Sequence, residues 1–411
     1  MTSYKYQIVE LGYQSKYPFD LEKEFLSAVQ ELHIPKSSFE FIDHSDLDAK
    51  FKRNQPCFSI YYGDHLSNSK HIKEVQVLLD AGVPVLPVYN DSFSAEIPDL
   101  LENQNGLKFE PNQVSKIVNL CLESFGLLRS SRKVFISYRR NESSSVAIQL
   151  YEALERNNFD CFLDTHSIKQ GEPFQEELWH RMTDCDVIVL LNTPGFLTSR
   201  WCKEEIAEAG VKKIGVVQLI WPENKLAATD EVCHPFSLSE SDFKNRNFTS
   251  HLESQLVDET VSRIVNEVES LRARNLASRR DHLITEFLNV AKKVGRKMEV
   301  QPHMFITESL PNDKRILFVP SIGIPRSLDY HQSEEIKKEI IEFDIEKLYL
   351  IYDDLRIRDK WLKHLDWLNG YLEVRTIKKQ RFEEWLKNNG EISFFQQVFL
   401  YLKETLSILI R

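Results

Sequence analysis

The sequence contains few of the residues and segments that mark disulfide-rich, metal-binding or membrane proteins. Its 411 residues include six cysteines, which are scattered without a CxxC pair or the spacing of metal ligands. In a chain of this length, such cysteines predict reduced, buried thiols in a cytoplasmic protein. The longest apolar runs have the length of a strand, so we expect no membrane span. The first residues lack the basic and apolar pattern of a signal peptide.

An excess of basic charge is also missing. The net charge is −10, which argues against broad nucleic-acid binding because such binding needs a basic face. The patterns GxxxxGK[ST], GxGxxG, GxSxG and HExxH do not occur, and their absence removes the commonest nucleotide-phosphate, hydrolase and zinc motifs. We therefore predict no metal and no cofactor.

Short apolar runs alternate with helical periodicity along most of the chain, and hydrophobic residues make up 42% of it. This alternation predicts parallel sheets with helices on their faces. The fold class is α/β, with flavodoxin-like or Rossmann-like units in tandem. We expect an α/β domain over 1–110, a middle domain over 131–250, linker helices over 251–298 and a C-terminal α/β domain over 299–411. A break in the linker is expected within 275–281, and residues 222–250 are expected to be irregular.

A weak internal repeat relates the first two domains. Residues 196–220 align with residues 65–89, and Glu205 falls opposite Glu74. Lys70 stands where the middle domain has Trp201. We infer that the first domain is a shortened, divergent copy that has lost any site the middle domain has. Dimerisation with the middle domain and inhibition of it are two hypotheses for its role.

Three segments of the middle domain follow predicted strands, where open parallel sheets bind their ligands. These segments are 137–142, 164–174 and 194–205. Trp201 and Glu205 are four residues apart, so they share one face near the start of a predicted helix. The helix dipole favours the ionised carboxylate there. This rim offers an aromatic surface, a carboxylate, a hydroxyl group and two arginines.

The middle domain resembles a TIR domain of the bacterial type over roughly residues 131–270. Three separate motifs carry the resemblance, in the family's order and at similar distances: "KVFISYRRNESS" (133–144), "CFLDTHSIKQGEPFQEEL" (161–178) and "CDVIVLLNTPGFLTSRWCKEEI" (185–206).

The resemblance implies a site and an activity. In NAD⁺-cleaving TIR domains, the glutamate of an S-x-W-x-x-x-E pattern is catalytic. Glu205, not Glu204, holds that position here, and Ser199 and Trp201 hold the other two. Arg139 matches a substrate-contacting arginine. Residues 164–172 match the BB loop, which in the family gates the pocket and contacts a neighbouring TIR domain. The residues we expect to bind substrate are Tyr138, Arg139, Arg140, Asp164, Ser199 and Trp201.

These residue types suit the cleavage of NAD⁺. Nicotinamide leaves C1′ of the ribose, and an ionised Glu205 can hydrogen-bond the ribose hydroxyls and stabilise the positive charge that develops. Trp201 can provide a flat apolar wall for a ring. Arg139 and Arg140 can bind the pyrophosphate through paired hydrogen bonds.

Structural interpretations of the same residues stay open at this stage. Glu205 can be a solvated helix carboxylate, Trp201 a contact between helix and sheet, and Asp164 a turn residue. Both arginines can be solvated, and we expect His166 and His180 to be solvated because neither has a partner signal in the sequence. In the third domain, residues 320–330 are either a ligand-binding loop or a structural turn.

The predicted function is cleavage of NAD⁺ to nicotinamide and ADP-ribose, or a cyclic variant of it. The resemblance places this activity in bacterial antiphage defence and makes it depend on assembly through the TIR domain. The expected partners are NAD⁺, other copies of the chain and an unidentified trigger. The alternatives are a non-catalytic TIR scaffold and a nucleotide-processing enzyme of a related fold.

Overall fold

Three five-stranded sheets follow one another along the chain in the computed structural model. Each sheet, with its helices, is called the first, middle or third unit below. The structure describes residues 5–53, 55–64, 70–111, 114–163, 174–196, 210, 213–224, 233–301, 304–310, 313–340 and 343–388. None of the helices within these ranges is long and apolar enough to cross a bilayer.

The first unit has an entirely parallel sheet in the order β2-β1-β3-β4-β5. Its strands are β1 Tyr6–Gly12, β2 Phe39–Asp43, β3 Cys57–Tyr62, β4 Val85–Tyr89 and β5 Leu107–Lys108. Its helices are α1 Leu21–Glu31, α2 Leu47–Lys50, α3 Ile72–Asp80, α4 Phe93–Glu96 and α5 Val114–Ser124. Helix α1 begins where the Asp20 carboxylate accepts a hydrogen bond from the backbone N–H of Lys23, and it buries one apolar face against the sheet.

The middle unit repeats this topology, with a parallel sheet in the order β10-β9-β8-β6-β7. Its strands are β6 Lys133–Ser137, β7 Asp160–Leu163, β8 Val187–Asn192, β9 Gly215–Ile220 and β10 Cys233–Ser237. Its described helices are α6 Arg140–Arg156 and α7 Phe174–Thr183. Counted along the chain, both sheets have the strand order 2-1-3-4-5, as a repeat of one unit requires. Strand β10 lies within the segment that we expected to be irregular.

The third unit has a mixed sheet in the order β11-β12-β13-β14-β15. Its strands are β11 Glu299–Val300, β12 Ile306–Ser309, β13 Lys314–Ser321, β14 Asp344–Tyr352 and β15 Arg375–Lys378. The last three strands are parallel, as predicted, and two antiparallel strands extend the sheet beyond β13. The α/β fold class is confirmed.

A single helix, α8 Asp258–Lys293, joins the three units. Its 36 residues span roughly 54 Å at about 1.5 Å per residue. Residues 264–268 pack in a core of the middle unit, 273–277 in a core of the first and 283–291 in a core of the third. The break expected within 275–281 is wrong, because that stretch is buried between units and continues the helix. The helices that follow are α9 Ser327–Glu339, α10 Asp359–Leu368 and α11 Phe382–Asn388.

Candidate active site

The carboxyl edge of the middle sheet holds the described part of the candidate site. Strand β6 ends at Ser137, and α6 begins three residues later at Arg140. Arg139 lies between them with an extended backbone (φ −95°, ψ 115°) at the helix N-cap. This short connection places the side chains of "SYRRNE" where the sequence predicted a ligand-binding loop.

Tyr138 and Arg140 occupy contrasting positions on this connection. Tyr138 is 6% exposed and packs in the apolar core with Val134 and Ile136. Arg140 is exposed in the first turn of α6. Tyr138 is therefore part of the buried core at the carboxyl edge of the sheet, whereas Arg140 is exposed at the surface of that edge.

An ion pair joins the loops after β6 and β8. Arg139 donates from Nη1 to Oε1 of Glu142 at 2.6 Å. The other carboxylate oxygen of Glu142 accepts the backbone N–H of Gly195 at 3.0 Å. A Cβ atom at Gly195 would lie 1.6 Å from Nη1 of Arg139, so a larger residue there would displace the guanidinium group from this position. The guanidinium group is thus held at the edge of the sheet by a group that sequence reasoning had not assigned.

Two buried polar atoms lie at the end of β8. Asn192 is fully buried, and its carbonyl and Oδ1 accept hydrogen bonds from Nδ2 of Asn224 at 2.9 and 3.1 Å. Nδ2 of Asn192 and Oγ1 of Thr193 have no hydrogen-bond partner among the described residues. A buried polar atom without a partner costs about 1–3 kcal/mol, so each one calls for an explanation, such as a catalytic role or a bound water. Unused hydrogen-bonding capacity therefore lies beside the Glu142–Gly195 contact.

Sequence reasoning missed Glu142, Asn192 and Thr193. Glu142 lies in the quoted "SYRRNE" segment, and its spacing from Arg139 allows the two side chains to meet across one helical turn. Asn192 ends the apolar run "VIVLLN", and a polar residue at the end of a buried strand is a usable signal. The remaining predicted residues, Glu205, Asp164, Ser199 and Trp201, lie outside the described residues, as does His166. Their roles stay predictions.

The opposite, amino edge of the middle sheet carries a buried ionic network. Arg272 of α8 is fully buried and donates to Asp186 at 3.0 Å and to Glu123 at 2.7 Å. Asp186 is also fully buried and accepts from Arg129 at 3.2 Å and from the backbone N–H of Lys133 at 3.1 Å. The network links the end of α5, the start of β6, the start of β8 and the long helix.

Asp184 extends this network to the third unit. Its carboxylate pairs with Arg129, with Lys133 at 2.6 Å and with Arg326 at 2.7 Å. It also accepts the backbone N–H of Ile324 at 3.0 Å. Burial opposes ionisation of Asp184, but the three cations outweigh it and hold the pKa of this carboxyl well below its usual range. The loop over 320–330 thus docks onto a carboxylate of the middle unit.

The expectation that His180 is solvated is wrong. Its side chain is 6% exposed, and Nδ1 lies 3.4 Å from the backbone N–H of Arg358, which donates to it. The ring stacks on Trp361, with centroids 5.6 Å apart and 22° between the planes. Burial lowers the pKa of His180 to about 4, so the imidazole is neutral at pH 7. The cause is the third unit, which covers this part of α7.

The described residues contain no cluster of side chains that could bind a metal ion. No group of three or more His, Cys, Asp or Glu side chains within them is arranged to hold one. Cys57, Cys121, Cys161 and Cys185 are buried thiols, and Cys233 is partly exposed. Cys202 lies outside the described part of the chain.

The sequence of the middle unit is similar to known proteins. A family model described as "TIR domain" matches residues 134–256. A "2' cyclic ADP-D-ribose synthase" of Bacteroides thetaiotaomicron is 23% identical over 124 residues, which are 30% of this chain and 43% of that protein. A "Probable 2' cyclic ADP-D-ribose synthase" of Brachypodium distachyon is 30% identical over 79 residues, which are 19% of this chain and 35% of that protein. The chain therefore spans less than half the length of these relatives.

Among solved structures, the chain has a weak likeness to tagatose-6-phosphate ketose/aldose isomerase from Escherichia coli. The TM-score is 0.19 with 10% identity, over 68% of this chain and 82% of that one. A TM-score this low supports no conclusion about fold or function. The family match and the two relatives do agree with the sequence motifs of the middle domain. The middle unit of this chain, matched over residues 134–256, is a TIR domain.

Proposed function

We propose that the middle domain cleaves the bond between nicotinamide and ribose in NAD⁺, with Glu205 as its catalytic carboxylate. The observation that carries this proposal is the pattern S-x-W-x-x-x-E, formed by Ser199, Trp201 and Glu205 inside the TIR match. Two relatives named as 2′ cyclic ADP-D-ribose synthases support it. A TIR domain that only assembles has no chemical need for all three residues.

The reaction breaks the bond between C1′ of the ribose and the pyridinium nitrogen. Nicotinamide departs with the bonding electron pair, and positive charge develops at C1′. Glu205 stabilises that charge and orients the ribose through its hydroxyl groups. Attack by water on C1′ gives ADP-ribose and a proton. Attack by a hydroxyl group of the same molecule gives a cyclic product, which is lighter by one water.

The described residues fit the role of holding the anionic part of this substrate. Arg139 is 39% exposed, and its partner Glu142 is anchored by Gly195. A pyrophosphate can share the guanidinium group, since an arginine has five N–H donors and Glu142 uses one through Nη1. Arg140, the next residue in the chain, is exposed and provides a second cation.

The test is nicotinamide release from NAD⁺ by the purified full chain at high protein concentration with a crowding agent. Wild type runs beside Glu205→Ala and the neighbouring control Glu204→Ala. We expect release by wild type and Glu204→Ala, and a loss of about 100-fold or more in Glu205→Ala, because that variant lacks the charge-stabilising group. The mass of the second product then separates ADP-ribose from its cyclic form, and the names of the relatives favour the cyclic one.

The rival functions predict other results. A non-catalytic scaffold leaves NAD⁺ intact in vitro, and it leaves cellular NAD⁺ unchanged during toxic expression of either wild type or Glu205→Ala. A nucleotide-processing enzyme turns over nucleotides that lack nicotinamide and spares NAD⁺. Equal nicotinamide release by wild type and Glu205→Ala would exclude the proposed catalytic residue.

We extend the proposal to activation by assembly and to a role in bacterial antiphage defence. Activation by assembly predicts that turnover per molecule rises with protein concentration. A defence role predicts that cells expressing the wild-type chain lose NAD⁺ and restrict phage, whereas cells expressing Glu205→Ala do neither. Constant specific activity across concentrations contradicts the first claim, and phage restriction by Glu205→Ala contradicts the second.

A further inference from the structure

A cavity of about 770 Å³ lies between the middle and third units. On the middle side it is lined by the starts of β6 and β7 and by α7. On the third side it is lined by residues 324–327, after β13, and by α10. It therefore lies at the amino edge of the middle sheet, opposite the candidate active site, and at the carboxyl edge of the third sheet. Open parallel sheets bind ligands at their carboxyl edges.

The polar lining of the cavity has a positive excess. Four cationic side chains, Lys133, Arg181, Arg326 and Lys360, line it together with three carboxylates, Asp160, Glu177 and Asp184. Three of the cations are shared with these carboxylates: Arg181 and Arg358 both pair with Glu177, and Lys133, Arg326 and Arg129 all pair with Asp184. Glu177 thus faces two cations and Asp184 three, which leaves a positive excess. The chain as a whole has a net charge of −10. A local excess of cations in an acidic chain favours an anionic ligand.

The loop after β13 already binds a carboxylate of the middle unit at this place. The backbone N–H of Ile324 donates to Oδ1 of Asp184 at 3.0 Å, and Arg326 donates to Oδ2 at 2.7 Å. Arg326 is the N-cap of the 13-residue helix α9, whose first residue, Ser327, lines the cavity. The loop thus already binds one carboxylate through a backbone N–H and a guanidinium group, next to the start of α9.

An aromatic surface lies across the cavity from this loop. Trp361 is 40% exposed, lines the cavity and stacks on the buried His180. His364, one turn further along α10, also lines the cavity and meets Trp361 edge to face at 6.1 Å. His180 is held against Trp361 by its burial and by the hydrogen bond that it accepts from the backbone N–H of Arg358. A flat ring of a ligand can pack on such a surface.

We propose that this cleft binds a nucleotide, with its phosphates at Arg326, Lys133 and Lys360 and its base against Trp361. Phosphate recognition accounts for the cations and the helix N-terminus, and base recognition accounts for the exposed tryptophan. The cavity volume falls within the usual range of small-molecule sites, about 300–1,000 Å³. This site differs from the TIR active site and would let a nucleotide bridge two units of the chain.

The test is calorimetric titration of the full chain carrying Glu205→Ala, so that turnover of NAD⁺ does not interfere. The probes are ATP, GTP, UTP, ADP-ribose and inorganic tripolyphosphate. Trp361→Ala and Lys360→Glu are each added, with matched controls on the same helix. Trp367→Ala and Lys363→Glu serve as controls because both residues are exposed and neither lines the cavity. Circular dichroism confirms that all four variants fold.

We expect at least one nucleotide to bind with a Kd on the order of micromolar. Trp361→Ala and Lys360→Glu should each weaken binding about tenfold or more, and both controls should stay within about twofold of the parent. Three results overturn the proposal: no nucleotide binding below about 1 mM, equal weakening by a cleft variant and its control, or tripolyphosphate binding as tightly as any nucleotide. If nucleotides bind only at the active site, the cleft variants and their controls affect binding equally, which is the second of these results. Failure of NAD⁺ cleavage in the wild-type chain leaves this measurement unaffected.

Discussion

The two edges of the middle sheet use polar groups in opposite ways. At the amino edge, Asp186 and Arg272 are fully buried, and each has several hydrogen-bond partners. At the carboxyl edge, Arg139 and Glu142 form a partly exposed pair, and Asn192 retains a buried donor without a partner among the described residues. The buried ion pairs of the amino edge connect groups of all three units, whereas the polar groups named at the carboxyl edge contact only other groups of the middle unit.

The first unit provides a second comparison, because its sheet has the same strand order. Its carboxyl edge is filled by its own side chains. The buried carboxylate of Glu96 accepts the backbone N–H groups of residues 90, 91 and 92 at 2.7–2.8 Å. The hydroxyl group of Tyr17 lies 3.1 Å from the carbonyl of Gly63 and 2.9 Å from that of Val88. In the first unit this edge is bridged by its own side chains, whereas in the middle unit Asn192 and Thr193 keep buried polar atoms without a partner among the described residues.

The largest effect is expected from a substitution that disrupts the buried ionic network at the amino edge. Arg272→Met should lower the free energy of unfolding by about 3–5 kcal/mol, because it leaves Asp186 and Glu123 as buried carboxylates short of a partner. Arg274→Met is the matched control on the same helix, since Arg274 is 46% exposed, and it should cost less than about 1 kcal/mol. Urea denaturation followed by circular dichroism measures both. Equal stability of the two variants would show that the network does not fasten the units.

The next effect tests the contact between the middle and third units through pH. Burial lowers the pKa of His180 from 6.5 to about 4; Arg358 and Lys360 add to this, and Glu177 and Asp184 oppose it. Below pH 6.5 the unfolded chain binds a proton that the folded chain excludes, so this contribution to stability is lost as the pH falls from about 6.5 to 4. The full loss is on the order of 3 kcal/mol.

His180→Gln should remove this part of the pH dependence when unfolding free energies are measured between pH 7 and 4. His331→Gln is the control, because that histidine is 69% exposed, and it should reproduce the wild-type slope. The carboxylates of the chain titrate in the same pH range in the wild type and in both variants. The difference in the pH dependence of the unfolding free energy between the variants therefore isolates the contribution of His180. A wild-type slope in His180→Gln would mean that the ring does not remain covered by the third unit.

Local sequence predicted the elements that are apolar throughout. Strand β8 is visible in the sequence as the run "VIVLLN", because all six of its side chains are buried and such a run can be recognised without knowing the strand's neighbours. Strand β10 was missed because it contains a proline and polar residues and is paired only on one side, with β9. This strand forms because it pairs with β9, and its own composition does not predict it.

Contacts between distant segments could not be predicted. Arg272 and Arg280 lie in the predicted linker, where the local sequence does not indicate burial, yet both are buried because carboxylates and carbonyls of the first and middle units meet them. His180 has its partner 178 residues away. In the candidate site, Arg139 was predicted from the motif, but its link through Glu142 to Gly195 depends on how two loops meet. Periodicity locates elements, and tertiary structure decides which charged groups they bury.

At the carboxyl edge, we expect a substitution to have the smallest effect on stability and a clear effect on the proposed activity. Arg139→Met should change the free energy of unfolding by less than about 1 kcal/mol, because its ion pair is partly exposed. It should raise KM for NAD⁺ about tenfold through loss of a pyrophosphate contact. Arg156→Met, exposed at the far end of the same helix, should change neither quantity. If Arg139→Met instead lowers stability and keeps KM, this arginine belongs to the scaffold, and the contrast between the two edges is lost.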